Sequence, residues 1–236
     1  MNGLGAALDE ARAIAAAADE HPPSARVALC PPATLITRMA EVLAGTGIEL
    51  GGQDCRPEPE GAFTGCIAAE MLVDAGARLV ILGHSERRGY YGETDAEVAA
   101  KVVAALRAGL EPIVCVGESL AEREAGQALP RVLAQVGASL PDALRGRAFS
   151  IAYEPVWAIG SGQTPTIAQI EEMHGAIRQA IWRRWGEAGG RAPILYGGSV
   201  KGANAAEILA IAEVGGALVG GASLTAAQFL PIVAAA

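Results

Sequence analysis

One unit recurs along this chain: a short, nearly unbroken apolar run, a turn bearing Gly or Pro, then a longer stretch of helical period. The runs fall at 26–30, 48–53, 78–82, 112–116, 149–153, 193–196 and 217–219. Runs that are apolar throughout, rather than alternating, read as parallel strands covered on both faces. The helical stretches between them lie at 4–19, 32–44, 68–75, 95–108, 120–136, 167–185, 203–212 and 226–233. Alternation without a linker or a break in composition predicts one α/β domain over 1–236. Seven strands against eight helices leave two architectures open, a doubly wound open sheet and a closed (β/α)8 barrel. The barrel needs one more strand before Leu4, which residues 1–3 cannot provide. No G-x-G-x-x-G follows the first run and no Walker A pattern occurs, which weakens a dinucleotide or nucleotide reading.

With 51% hydrophobic residues and 19% charged, the 236 residues can bury a sizeable core. Only 3 Phe, 4 Tyr and 3 Trp are available, so Ala, Val, Ile and Leu must build it. A formal charge of -8, with no Lys/Arg cluster, argues against nucleic-acid partners. A small anion can still bind where backbone N–H groups and helix N-termini supply the positive potential. Cys30, Cys55, Cys66 and Cys115 lack metal-site spacing and read as reduced, mostly buried thiols. Asp9, Glu10 and Arg12 lie where a signal peptide needs an apolar core, so a cytoplasmic location is expected. From Val214 onward no residue is charged, long enough to raise a membrane helix. Its four glycines, Ser223, Thr225, Gln228 and Pro231 favour instead a strand, a glycine turn and a short helix.

His84 sits where the apolar run 79–82 ends and a helix is about to begin. Such a position suits an N-terminal histidine capped by its neighbours, and equally a neutral imidazole that donates a hydrogen bond to a polarised carbonyl. Glu86 reads as a capping carboxylate or as an orienter of nearby groups. Glu154 is a lone carboxylate ending an apolar strand, held extended by Pro155. Solvated at the rim it would be inert; desolvated against an apolar wall it becomes a general base. The segment 157–164, an apolar tip with two glycines, has the makeup of a lid. Gly197-Gly198-Ser199 and Gly220-Gly221 end successive strands and open helices, the composition of a phosphate cradle.

Together these residues resemble the triosephosphate isomerase family. The matching stretches are 51–54 (GGQD), 61–65 (GAFTG), 83–88 (GHSERR), 115–118 (CVGE), 153–160 (YEPVWAIG), 196–200 (YGGSV) and 216–224 (GALVGGASL). The resemblance runs end to end and implies a TIM (β/α)8 barrel interconverting dihydroxyacetone phosphate and D-glyceraldehyde 3-phosphate, a step of glycolysis and gluconeogenesis. It assigns proton transfer to Glu154, carbonyl polarisation to a neutral His84 with Glu86 beside it, and the phosphate to Gly160, Ser199, Gly220 and Gly221. It also implies no metal or organic cofactor, and a homodimer in which the loop carrying Thr64 enters a neighbouring subunit.

The chain departs from the family pattern at its start. Family members begin with a strand ending in Asn-x-Lys, followed by the Met-Asn-Gly seen here at 1–3, so that strand and its Asn and Lys lie outside these residues. Neither Lys101 nor Lys201 occupies the matching position. Loss of one such preorganised charge lowers turnover on the order of 10²-fold or more. The expected architecture is therefore a barrel with its first strand missing and unpaired edges on either side, with impaired activity and a weakened dimer. Cys66 and Ala68, where the family usually has an acid and often Ser, alter the Thr64 loop. The alternative function is a non-catalytic phosphate-binding or assembly protein retaining the scaffold.

Overall fold

The computed structural model describes residues 1–160 and 163–236. Each apolar run becomes a strand: β1 Ala28–Leu29, β2 Glu49–Gly52, β3 Leu79–Leu82, β4 Glu111–Glu118, β5 Ser150–Pro155, β6 Ile194–Tyr196 and β7 Gly216–Ala217. They pair in parallel and in chain order, the topology of successive βαβ units. This is a TIM-barrel sheet without its first strand, and it removes the doubly wound alternative. Period-2 alternation divides the strand residues between two cores. Leu79, Ile81, Ile113 and Cys115 pack inside the curl, while Val80, Leu82 and Val114 pack outward beneath the helices.

The helices are α1 Ala7–Glu20, α2 Ile36–Val42, α3 Ala69–Asp74, α4 Ser85–Tyr91, α5 Asp95–Ala108, α6 Leu120–Glu124, α7 Ala128–Ser139, α8 Ile167–Trp185, α9 Gly202–Leu209 and α10 Ala226–Val233. Two departures from the sequence expectation have local causes. The stretch 120–136 is two helices because Gly126, at φ +70°, stops α6. The helix expected after His84 is a separate short one, α4, which starts at the imidazole of His84 as its N-cap and stops at Gly92 before α5 begins.

Among the described residues no helix is long and apolar enough to cross a membrane. The uncharged tail from Val214 contributes β7 and α10 instead. All four cysteines are free, with Cys55 and Cys115 buried and Cys30 half-buried. Cys66, beside Thr64, is the exposed one of the four. That loop is closed at its base by the Arg56 N–H donating to the Ile67 carbonyl (2.8 Å) and braced by the Arg56 guanidinium 4.0 Å above the Phe63 ring. Thr64 itself stands exposed at its tip.

Candidate active site

Glu154 is 1% exposed although it ends a strand at the rim. Glycines on both neighbouring strands make this possible. A Cβ on Gly117 of β4 would collide with the Glu154 carbonyl, and one on Gly197, just past β6, would sit 2.9 Å from Glu154 Cγ. Rim solvation, the ordinary fate of such a carboxylate, is thereby excluded. Its oxygens are held from the β3–α4 junction instead. The Ser85 N–H donates to Oε2 at 2.8 Å, the Ser85 hydroxyl reaches Oε1 at 3.3 Å, and His84 Nε2 lies 2.9 Å from Oε1.

The His84 ring is fixed at both nitrogens. Nδ1 accepts the Glu86 backbone N–H at 3.2 Å, which leaves the proton on Nε2, facing Glu154. Burial favours the uncharged ring, but the hydrogen bond and charge of Glu154 outweigh it, and the His84 pKa is raised above its ordinary value. The neutral imidazole expected at a helix start is thus opposed here by a carboxylate that lies 70 positions further along the chain. The Glu86 carboxylate is 62% exposed and 3.9 Å from Nδ1. The capping relation runs opposite to the expected one: His84 caps the Glu86 amide.

The segment following Glu154 is anchored by a carboxylate that sequence reasoning passed over. Glu118, fully buried at the end of β4, accepts at Oε1 from Trp157 Nε1 (2.9 Å), Arg123 Nε (2.8 Å) and the Tyr153 hydroxyl (3.1 Å). Only its place in the CVGE stretch hinted at this role. Ser85 was similarly hidden, because nothing local to it points to β5. Of the expected lid, Ser161 and Gly162 lie outside the described residues.

Gly160, Ser199, Gly220 and Gly221 line the same cavity as His84 and Glu154, a space of about 2230 Å³. Gly220 caps the 3-10 turn Gly221–Ser223 and accepts the Ser223 hydroxyl at 2.7 Å. The first N–H groups of such a turn have no partners within it and suit an oxyanion. The two lysines are placed differently. Lys101 is buried in ion pairs with Asp54 (2.7 Å) and Glu93, whereas Lys201 is exposed at the start of α9. The arrangement combines a buried carboxylate, an imidazole N–H and paired glycines with free backbone in one cavity, parts suited to moving a proton next to a carbonyl.

A family model described as triosephosphate isomerase matches residues 1–236. A triosephosphate isomerase of Caulobacter vibrioides is 60% identical over 235 residues, covering 100% of this chain and 93% of that relative. One of Ruegeria pomeroyi is 56% identical over 237 residues, with the same coverage of 100% and 93%. The crystal structure of triosephosphate isomerase from Bartonella henselae superposes with a TM-score of 0.92 at 47% identity, covering 100% of this chain and 94% of that one.

Proposed function

Because the chain belongs to the triosephosphate isomerase family, we propose that its cavity interconverts dihydroxyacetone phosphate and D-glyceraldehyde 3-phosphate. The single observation that carries this reading is the 2.9 Å contact between His84 Nε2 and Glu154 Oε1 in the cavity that the paired glycines line. Substrate phosphate binds the backbone at Gly160, Ser199, Gly220 and Gly221, which leaves the carbonyl end near the pair. Glu154 turns from Ser85 and His84 toward the substrate and takes a proton from the carbon beside the carbonyl. The electron pair of that C–H bond forms the enediolate double bond, and the carbonyl oxygen takes the charge. Once Glu154 has turned away, the contact that raises the His84 pKa is gone, and the neutral ring donates Nε2–H to that oxygen. Proton exchange between the two oxygens through His84, and return of the carbon proton from Glu154 to the neighbouring carbon, complete the isomerisation. Glu86 stays at the edge of the site and acts on His84 through its charge.

In this reading the protein works in the cytoplasm, in glycolysis and gluconeogenesis, as a homodimer whose Thr64 loop enters the neighbouring subunit. Turnover by these 236 residues is reduced, because Lys101 is held by Asp54 and Glu93 and Lys201 stands exposed at the start of α9, so neither lysine is placed to face the developing charge. A coupled isomerase assay paired with binding of phosphoglycolate separates the roles. Glu154→Gln lowers turnover on the order of 10³-fold while phosphoglycolate affinity stays within about twofold. Gly221→Val, at a position with nothing within 4 Å of a new Cβ, does the reverse, raising KM about tenfold or more. Loss of affinity in the first variant, or unchanged KM in the second, would remove the assignments.

A further inference from the structure

His84 and Glu154 stand 2.9 Å apart although β4 runs between the strands that carry them. β3 and β4 keep their register only as far as the pair Leu82 and Val114. β4 continues against β5 alone, through Cys115 to the pair Glu118 and Pro155. Beyond Leu82 the β3–β4 ladder has therefore ended, and Gly83 and His84 leave it.

One side chain occupies the place where the ladder stops. The Glu111 N–H donates to the Arg78 carbonyl at 2.9 Å, so strand alternation turns the backbone groups of Ile113 and Cys115 toward β3 as well. A continued ladder would bring the His84 N–H to the Cys115 carbonyl. That carbonyl accepts Arg88 Nη2 at 3.0 Å instead, while Arg88 Nε donates to the Gly83 carbonyl at 2.7 Å. The planar guanidinium thus spans from the residue before His84 to β4 with donors of fixed spacing. Gly83 makes room for it: at φ +68°, a Cβ there would sit 2.9 Å from Arg88 Nη2.

The fork is braced from behind. Arg88 Nη1 donates to Asp95 Oδ1 at the start of α5, and Nη2 also donates to Ser139 Oγ, 3.0 Å away at the end of α7. The Ser139 hydroxyl closes the network by donating to Asp95 Oδ1 at 2.8 Å. Arg88 belongs to α4, the helix that His84 caps, so the imidazole lies on a short loop of chain tied at Gly83 and at α4 by the same side chain.

We propose that Arg88 is a positioning residue, whose bonds to the Gly83 and Cys115 carbonyls set the reach of His84 Nε2 across β4 to Glu154. The proposal deepens the isomerase reading and rests on it for turnover only, because the His84–Glu154 contact is read without substrate.

The test titrates the His84 ring by imidazole nitrogen NMR in the ligand-free chain and measures turnover beside it. In the parent, burial opposes the charged ring, Glu154 and the more exposed Glu86 favour it, and the N-terminal ammonium opposes it. Arg88→Lys keeps the charge but replaces the fork with a point donor, so the His84 pKa should fall as the Glu154 contact loosens. By the same displacement kcat should fall about 10²-fold, with KM within about twofold. Ser139→Ala leaves both carbonyl bonds in place; it should lower Tm and leave the His84 titration and kcat as in the parent. In the parent itself, Arg88 Nε–H should exchange with solvent about tenfold or more slowly than that of the exposed Arg145. Should the parent show no isomerase turnover, the titration and the exchange decide alone. An unmoved His84 titration in folded Arg88→Lys, an equal shift in Ser139→Ala, or exchange at Arg88 as fast as at Arg145 would overturn the proposal. So would unfolding of Arg88→Lys, by making the guanidinium a support of the fold and not of the pair.

Discussion

At position 154 the decisive neighbours are two residues without side chains. Gly117 and Gly197 let Glu154 sink to 1% exposure, where water no longer competes for its oxygens. The chain announces the carboxylate and the imidazole plainly, as polar residues at the ends of apolar runs. Sequence did not disclose their mutual contact or the Ser85 clasp, because both bring the β3–α4 junction across β4 to the end of β5, elements about 70 positions apart. A second histidine was invisible for the same reason. His174 is fully buried between the Tyr153 and Tyr196 rings, with Nδ1 3.2 Å from the Glu213 carbonyl. Burial, helped by the charge of Arg178 and opposed by that carbonyl, lowers its pKa to about 4. The unfolded chain, with an ordinary histidine near 6.5, binds a proton that the folded chain refuses between those values. Stability is therefore lost as pH falls through that window. Denaturant titrations should show about 2 kcal/mol more loss between pH 7 and pH 5 in the parent than in His174→Gln. Equal losses would contradict a neutral, buried His174.

Elements were more legible than contacts. Both α8 and α10 begin and end where helical period predicts, at Ile167–Trp185 and Ala226–Val233. Strands were recognisable because a parallel sheet covered on both faces leaves an uninterrupted apolar signature. What periodicity could not reveal was punctuation: the stop at Gly126, and a seven-residue helix started by a histidine cap. The proposed reaction calls for a fixed cation at the cavity, which neither the ion-paired Lys101 nor the exposed Lys201 supplies. A version of the chain with a short N-terminal extension ending in Asn-x-Lys should gain on the order of 10²-fold or more in kcat/KM, because a fixed cation then faces the developing enediolate. A folded, extended protein with unchanged turnover would contradict that role for the lysine.

For the whole molecule, one surface and one reaction remain to be tested. Tyr90 and Tyr91 are 84% and 74% exposed, Phe63 is 37% exposed, and the Thr64 loop projects as a braced hairpin of chain, an apolar combination suited to burial between copies. Sedimentation velocity over a concentration series should resolve a dimer, and compact monomer at every concentration would contradict it. Carbon-proton transfer by Glu154 is the claim on which the account turns. Dihydroxyacetone phosphate incubated with the chain in heavy water, and followed by proton NMR, should exchange a carbon-bound hydrogen for deuterium faster than in buffer, and Glu154→Gln should abolish that excess. Exchange that proceeds equally in the folded variant, or no excess over buffer in a parent chain that binds phosphoglycolate, would contradict it.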